Sequence, residues 1–567
     1  MNQKHIIYLT DKRSFTNVRE LVEWASEQYH DRIAFSYREK ASAKESVKIS
    51  YRQFGEDVRA LASAMLAMGC AGRHVALIGK LSYEWVVTYY ATLAIGAVLV
   101  PLDRDWSAEE LADTVKKANA SFLFGDHDIA DKITYIAGKA LLVKEPIYLF
   151  AKEGENTLSA LLASGKERYA ENPSLYHEAP INPMKMSLLV FTSGTTGKGK
   201  GVMLSQNAIL SDMTNVLHYL DYGKKTVGVL PPHHTYGSTV MFIAHVMIGC
   251  EIYISSGIRY ITRELSEEKP EHLILVPLYL ETFYRKILSS LQEKGKYELV
   301  MKSIKLSNAL RRVGIDQRKK FFSAIHAVFG GKVKTVISGG APLSREILDF
   351  FDAIGIPVLN GYGITECAPL ISVNRSKNIV GGSVGNPIDG VEVAIDEPNE
   401  DGEGEILVKG PNVMLGYYND DEATADAFKN GYFRTGDYGK LDKNGVLYIT
   451  GRKKNLIILS NGKNVYPEEI ENELATIPGL LDIVVYEGQS KRGVTYNAIV
   501  AEIYPDYDYM EKNGIADINA YLKPYVDTFN KKTVPYKKIA IVKVRREEFP
   551  KNTLRKIQRF KLNTEID

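Results

Sequence analysis

Between residues 50 and 130, short apolar runs alternate with stretches whose apolar positions recur every three or four residues. The runs at 75–78 and 97–100 read as strands. The periodic stretches at 83–95 and 107–118 read as helices, the second opening with Ser107 and Glu110 at capping-box spacing. Strands alternating with helices predict βαβ units and a parallel sheet. The alternation resumes with strands at 187–191, 333–337 and 357–359 and a helix at 206–220. From about Gly382 the pattern changes to short alternating runs, at 405–409, 440–442 and 446–450, the last two flanking a Lys443-Asn444-Gly445 turn. That is hairpin chemistry. Beyond Gly451 a helix is predicted over 468–477, with Pro467 at its first position and Pro478 after its end, then a strand over 481–486. The expected fold class is α/β: a large N-terminal domain of doubly wound sheets with a β-rich subdomain, residues 1–451, and a small α+β C-terminal domain, residues 452–567.

Composition narrows the field. The 567 residues are 45% apolar and 25% charged, ordinary globular values that exclude wholesale disorder and fibrous architectures. Lys+Arg is 71 against 69 for Asp+Glu, a balance with no general attraction to nucleic acid. Two long stretches, 85–102 and 226–250, lack Asp, Glu, Lys and Arg. Both carry prolines or glycines with hydroxyl or histidine side chains, so they are expected to be buried core rather than membrane-spanning. No transmembrane segment is expected, and peripheral membrane contact is left open. The cysteines Cys70, Cys250 and Cys367 lie far apart with no CxxC pair, which favours a reducing compartment and a cytoplasmic location.

The strongest chemical signal is the stretch 191–201, Phe-Thr-Ser-Gly-Thr-Thr-Gly-Lys-Gly-Lys-Gly. Its glycines free the backbone for N–H groups to converge on an anion. Thr195 and Thr196 add hydroxyls, and Lys198 and Lys200 add charge. Gly194 through Lys200 also fits GxxxxGK. Gly201 then stands where a Walker A loop needs the Ser or Thr that binds Mg²⁺, which argues against a P-loop NTPase.

The stretch 192–201 resembles the phosphate loop of the adenylate-forming enzymes, the family of acyl-CoA synthetases, peptide-synthetase adenylation domains and luciferases. Gly199 stands where that loop usually has Pro. The resemblance continues in order along the chain. Ser338-Gly-Gly-Ala-Pro-Leu is similar to the family's adenine-contact turn, which assigns Gly340, Ala341 and Pro342 to the nucleotide. Asn360-Gly-Tyr-Gly-Ile-Thr-Glu is similar to its next motif. There Tyr362 is implied to pack on adenine, Thr365 to meet phosphate and Glu366 to hold Mg²⁺, with Asn360, Gly361 and Gly363 also implied in nucleotide binding. Thr192, Ser193, Gly194, Thr195, Thr196, Gly197 and Lys200 are implied for phosphate, and Asp437 and Arg452 for ribose. Lys454 is implied as the hinge of a mobile C-terminal domain. Lys556 is implied as the catalytic lysine, preceded by Arg555 where Gly is usual. In the stretch 231–237, Pro-Pro-His-His-Thr-Tyr-Gly, His234 matches an aromatic wall or gate of the substrate pocket.

The reaction this resemblance implies has two steps. A carboxylate attacks the α-phosphate of ATP, and a thiol then takes the acyl group from the adenylate. ATP, Mg²⁺ and coenzyme A are the implied cofactor and co-substrates, with an acyl carrier protein as the alternative acceptor. Residues 226–240 contain no Asp or Glu to hold a substrate ammonium, so a plain carboxylic acid is expected. The motifs around 361–374 and 451–469 look most like those of long-chain fatty acid–CoA ligases, with another carboxylic acid as the alternative substrate and a non-catalytic nucleotide- or acyl-binding relative as the alternative class.

Overall fold

A computed structural model describes residues 12–143, 145–151, 154, 156–192, 199–459, 464–488, 498–551 and 557–566. A seven-stranded sheet runs, in spatial order, through Gly416–Tyr417, Lys200–Ser205, Met186–Thr192, Val98–Leu102, His74–Ile78, Phe122–Asp126 and Ile147–Leu149. Its central strands pair in parallel, as the βαβ pattern predicts. A four-stranded sheet (Val47–Ser50, Ile33–Tyr37, Glu251–Ile254, Lys225–Gly228) lies beside a five-stranded one (His272–Leu275, Thr335–Ser338, Val358–Gly363, Leu370–Val373, Asn386–Pro387). The Glu271 N–H donates to the Lys225 carbonyl at 2.9 Å, so the two sheets meet edge to edge.

Local chemistry accounts for the elements between. Helix Ala108–Lys117 starts at a complete Ser107/Glu110 capping box, with acids in its first turn and lysines in its last. It buries Leu111, Ala112 and Val115 on one face. Helix Tyr83–Ala94, most of it from the first charge-free stretch, buries every residue but Glu84, as a helix with little polar surface must. The second charge-free stretch folds as strand Lys225–Gly228, a π-helix Tyr236–Ile243 and helix Ala244–Met247. The helix expected over 206–220 ends at Thr214. Val216 leaves helical geometry, the Asn215 carbonyl accepts the Asp389 N–H, and a 3-10 turn follows at Leu217–Tyr219. Two short helices that share a buried side read as one long period in sequence.

The β-rich part is an antiparallel sheet of Glu392–Asp396, Gly404–Lys409, Tyr432–Leu441, Phe428–Lys429 and Leu447–Arg452. After the 3-10 turn Lys453–Asn455 the chain enters a separate core, drawn from Ile457 to Ile539. That core packs helices Pro467–Leu474 and Ile518–Lys532 against the sheet Leu480–Glu487, Ile499–Pro505, Ile539–Val544.

A buried histidine pair joins the charge-free segment to the sheet behind it. The Gly223 N–H donates to His272 Nδ1 at 3.1 Å, so His272 carries its proton on Nε2 and donates it to His245 Nε2 at 2.7 Å. Burial holds the His245 ring down to about 4 and the His272 ring well below its ordinary value. Both rings are neutral in the fold, whereas the unfolded chain protonates them near 6.5. Stability is therefore complete above about pH 6.5 and falls as pH drops toward 4, by about 1.4 kcal/mol per pH unit for each ring. His245→Gln should show a shallower acid loss over this window in denaturant unfolding. An unchanged slope would show that the pair does not titrate as its burial requires.

Candidate active site

The motifs scattered along the chain come together at the carboxyl ends of the parallel strands. This is where ligands bind in open α/β sheets. Thr335–Ser338 pairs in parallel with Val358–Gly363 and sets Ser338 opposite Asn360. The Ser-Gly-Gly-Ala-Pro turn and the Asn-Gly-Tyr-Gly strand therefore lie side by side. Gly340 sits at φ +90, a conformation open to glycine at little cost, while Ala341 and Pro342 are exposed on the turn. Thr365 and Glu366 follow in the 3-10 turn Thr365–Cys367.

Residues 193–198 are flanked by an antiparallel pair, with Thr192 opposite Lys200. The chain therefore passes from strand to strand across them. A Walker A loop leads from strand to helix, so the topology agrees with the missing hydroxyl in excluding that motif. Helix Gln206–Thr214 begins one strand later, with the Ser205 side chain accepting from the Ala208 N–H. Ser193, Gly194, Thr195, Thr196, Gly197 and Lys556 lie outside the described residues.

Asp437 is the meeting point. Its carboxylate accepts the Tyr362 hydroxyl at 2.7 Å and faces Arg452 Nε at 3.0 Å. Asp437 and Arg452 are register partners of adjacent strands, so the hairpin itself delivers them together. The coulombic field of Asp437 raises the Arg452 guanidinium further. Lys454 is exposed in the turn that follows, and desolvation followed by the nearby Arg452 charge lowers its ammonium. Glu366 is pushed up from the ordinary carboxylate range by burial, with the Tyr417 hydroxyl donating to it at 3.1 Å. Lys200 Nζ lies 4.6 Å above the Tyr417 ring, so one tyrosine separates and positions a cation and a carboxylate.

Tyr417 was not legible as a site residue. It belongs to a two-residue strand paired to Val202, too short to carry a period of its own. Also missed were Met213, Val216 and Leu220 in the wall of a cleft of about 550 Å³, its open mouth included. Gly340, Gly361, Tyr362 and Gly363 line it together with Met213, Val216, Leu220 and Val240. No Asp, Glu, Lys or Arg is among its lining residues. From the stretch expected beside the substrate, the cleft takes Tyr236 and Val240. His234 lies two residues earlier, its carbonyl accepting the Ser238 N–H at 2.8 Å and its ring 4.2 Å from that of His233.

A family model described as AMP-binding enzyme matches residues 22–418, well over half of the chain. The chain belongs to the AMP-binding enzyme family. Among its relatives, a long-chain-fatty-acid–CoA ligase of Mycobacterium bovis is 29% identical over 467 residues, 78% of this chain and 76% of that protein. A chloroplastic long-chain-fatty-acid–[acyl-carrier-protein] ligase of Arabidopsis thaliana is 28% identical over 552 residues, covering 82% of this chain and 74% of that one. Among solved structures, ATP-bound MatB of Rhodopseudomonas palustris superposes with a TM-score of 0.74 at 25% identity, over 96% of this chain and 97% of that chain. No helix of the described residues is long and apolar enough to cross a membrane.

Gly363 serves the site by its lack of a side chain. A Cβ there would lie 2.1 Å from the Pro369 carbonyl oxygen, on the turn that carries Glu366. The same carbonyl accepts the Ile364 N–H at 2.8 Å and has little room to move. Gly363→Ala should cost about 1–3 kcal/mol, the usual scale of overpacking, in denaturant unfolding. A variant as stable as the parent would contradict this close approach.

Proposed function

We propose that this protein activates a long-chain fatty acid with ATP, forming acyl-AMP and pyrophosphate, and passes the acyl group to the thiol of coenzyme A, releasing AMP. The observation that carries this reading is the uncharged cleft that the motif glycines line together with Met213, Val216 and Leu220. Such a wall desolvates methylenes at about 0.8 kcal/mol each. It offers nothing to an ammonium, which is costly to bury unpaired. The family membership and the relative named as a long-chain fatty acid–CoA ligase support the same class.

The chemistry is limited by charge, because an anionic carboxylate must approach an anionic phosphate. In this reading Thr192, Lys200 and the 193–198 loop hold the phosphates. Asn360 to Gly363 and the Gly340–Ala341–Pro342 turn hold adenine. The ribose hydroxyls bind Asp437 in place of the Tyr362 hydroxyl, with Arg452 beside them. Thr365 orients the phosphate under attack, and Lys556 steadies the charge that develops on it. Glu366 fits a hard cation: it is a carboxylate whose burial disfavours its ionised form, in the turn beside the assigned phosphate site. Bound there, Mg²⁺ would neutralise phosphate charge during attack. Tyr417 keeps the Glu366 oxygen aimed by its hydrogen bond and spaces it from Lys200.

Transfer to the thiol requires the Lys556 loop to withdraw. We take residues 452–567 as the moving domain, 1–451 as the body, and Lys454 as the hinge. The separate C-terminal core and the exposed 453–455 turn support that division. His234 is assigned to the substrate gate, next to the Tyr236 wall. The proposed setting is cytoplasmic. The relative named as an acyl-carrier-protein ligase favours a carrier protein as the second acceptor to be tried.

The test is a series of saturated acids, each offered coenzyme A or acyl carrier protein. For acids shorter than the cleft, kcat/KM should rise about threefold to fourfold per added methylene, then level or fall. Amino acids of similar length should be poorer by orders of magnitude. A flat series, or a preference for an amino or aryl acid, would overturn the long-chain assignment.

A further inference from the structure

The chain's near-neutral charge hides a strongly basic, apolar-studded face. Residues 294–321 hold nine Lys/Arg (Lys294, Lys296, Lys302, Lys305, Arg311, Arg312, Arg318, Lys319, Lys320) against two acids, Glu298 and Asp316. The whole chain exceeds neutrality by only two. Helix Tyr297–Arg312 turns Val300 and Ile304 inward against the core beneath the five-stranded sheet. Its outer side carries Leu299, Lys302, Leu306, Ala309 and Val313 at helical spacing, with Lys305 and Arg312 exposed at its flanks. Leu299 is 63%, Leu306 55% and Val313 71% exposed, and Ile315 and Phe321 extend the patch. Arg311 and Arg318 are held by Asp352, and Arg318 also engages Asp316. The remaining cations stand around the apolar stripe.

We propose that this face docks the protein on an anionic lipid surface, the helix lying in the interface with its leucines and Val313 among the headgroups. Charge complementarity and exposed apolar side chains must be satisfied together, and an anionic bilayer does both. A nucleic acid would use the cations but leave Leu306 and Val313 in water. A second copy would bring like charge against like. No described helix is long and apolar enough to span a membrane, so the contact is interfacial. Its purpose rests on the fatty-acid reading above, since a bilayer is where such a substrate dissolves. The binding itself does not depend on that reading.

The experiment is co-sedimentation of the full chain, without ATP or acid, with phosphatidylcholine vesicles and with vesicles of phosphatidylcholine and phosphatidylglycerol in equal parts. Binding is expected to the anionic vesicles and to be released by high salt. The triple variant K302Q/K305Q/R312Q should partition on the order of 10²-fold more weakly, about fivefold per cation. L299S/L306S/V313S, with every charge intact, should also lose binding, which purely electrostatic attraction would not do. Adenylation of a short soluble acid should be unchanged in both. Failure of the parent to bind, or variants that bind as the parent does, would overturn the proposal. So would a duplex oligonucleotide or acyl carrier protein that takes this face more tightly than the vesicles. If vesicle binding holds while no acid is adenylated, the functional reading falls and the docking face stands.

Discussion

Asp437 takes the Tyr362 hydroxyl on one carboxylate oxygen and faces Arg452 with the other, and three parts of the chain meet there. Tyr362 arrives on the five-stranded sheet, Asp437 on the β-rich sheet, and Arg452 on the last strand before the C-terminal core. A buried carboxylate left without such donors would be costly. The Arg452 guanidinium also sits within the field of Glu366, whose carboxyl burial pushes up. The site thus holds two acids close together and relies on cations at its margins to make that tolerable. A polyphosphate and a carboxylic acid would meet there under the same condition.

The cleft solves the opposite problem. Its lining, from Met213 and Val240 to Gly340, Gly361 and Gly363, holds no charged side chain. One cavity therefore brings motif residues and an apolar wall together. In the proposed reaction this wall would take the acid's hydrocarbon, which would contribute binding free energy remote from the chemistry.

Residues whose signal is local were legible in the sequence. Ser107 and Glu110 announce a cap that forms as read, and Pro467 stands at the first position of its helix. The motif glycines Gly361 and Gly363 fall at a strand end, as the short-range pattern places them, while Glu366 lies in a 3-10 turn and Asp437 within a strand. Pairing was not legible. Strand Lys200–Ser205 is antiparallel to Met186–Thr192, and nothing local distinguishes that from a strand running into a helix. Tyr417 reaches Glu366 from a two-residue strand, and Val216 and Leu220 line the cleft from beyond the helix that ends at Thr214. Those are contacts between residues far apart in sequence, or the result of a local break that periodicity smooths over.

If this site adenylates an acid and Lys556 supplies charge to that step alone, exchange of labelled pyrophosphate into ATP in the absence of any thiol is the most direct test. Exchange should depend on a long-chain acid and fall on the order of 10²–10³-fold in Lys556→Ala. That variant should still convert synthetic acyl-adenylate and coenzyme A to thioester. Acid-independent release of phosphate from ATP, or equal loss of both half-reactions in a folded Lys556→Ala protein, would contradict this reading.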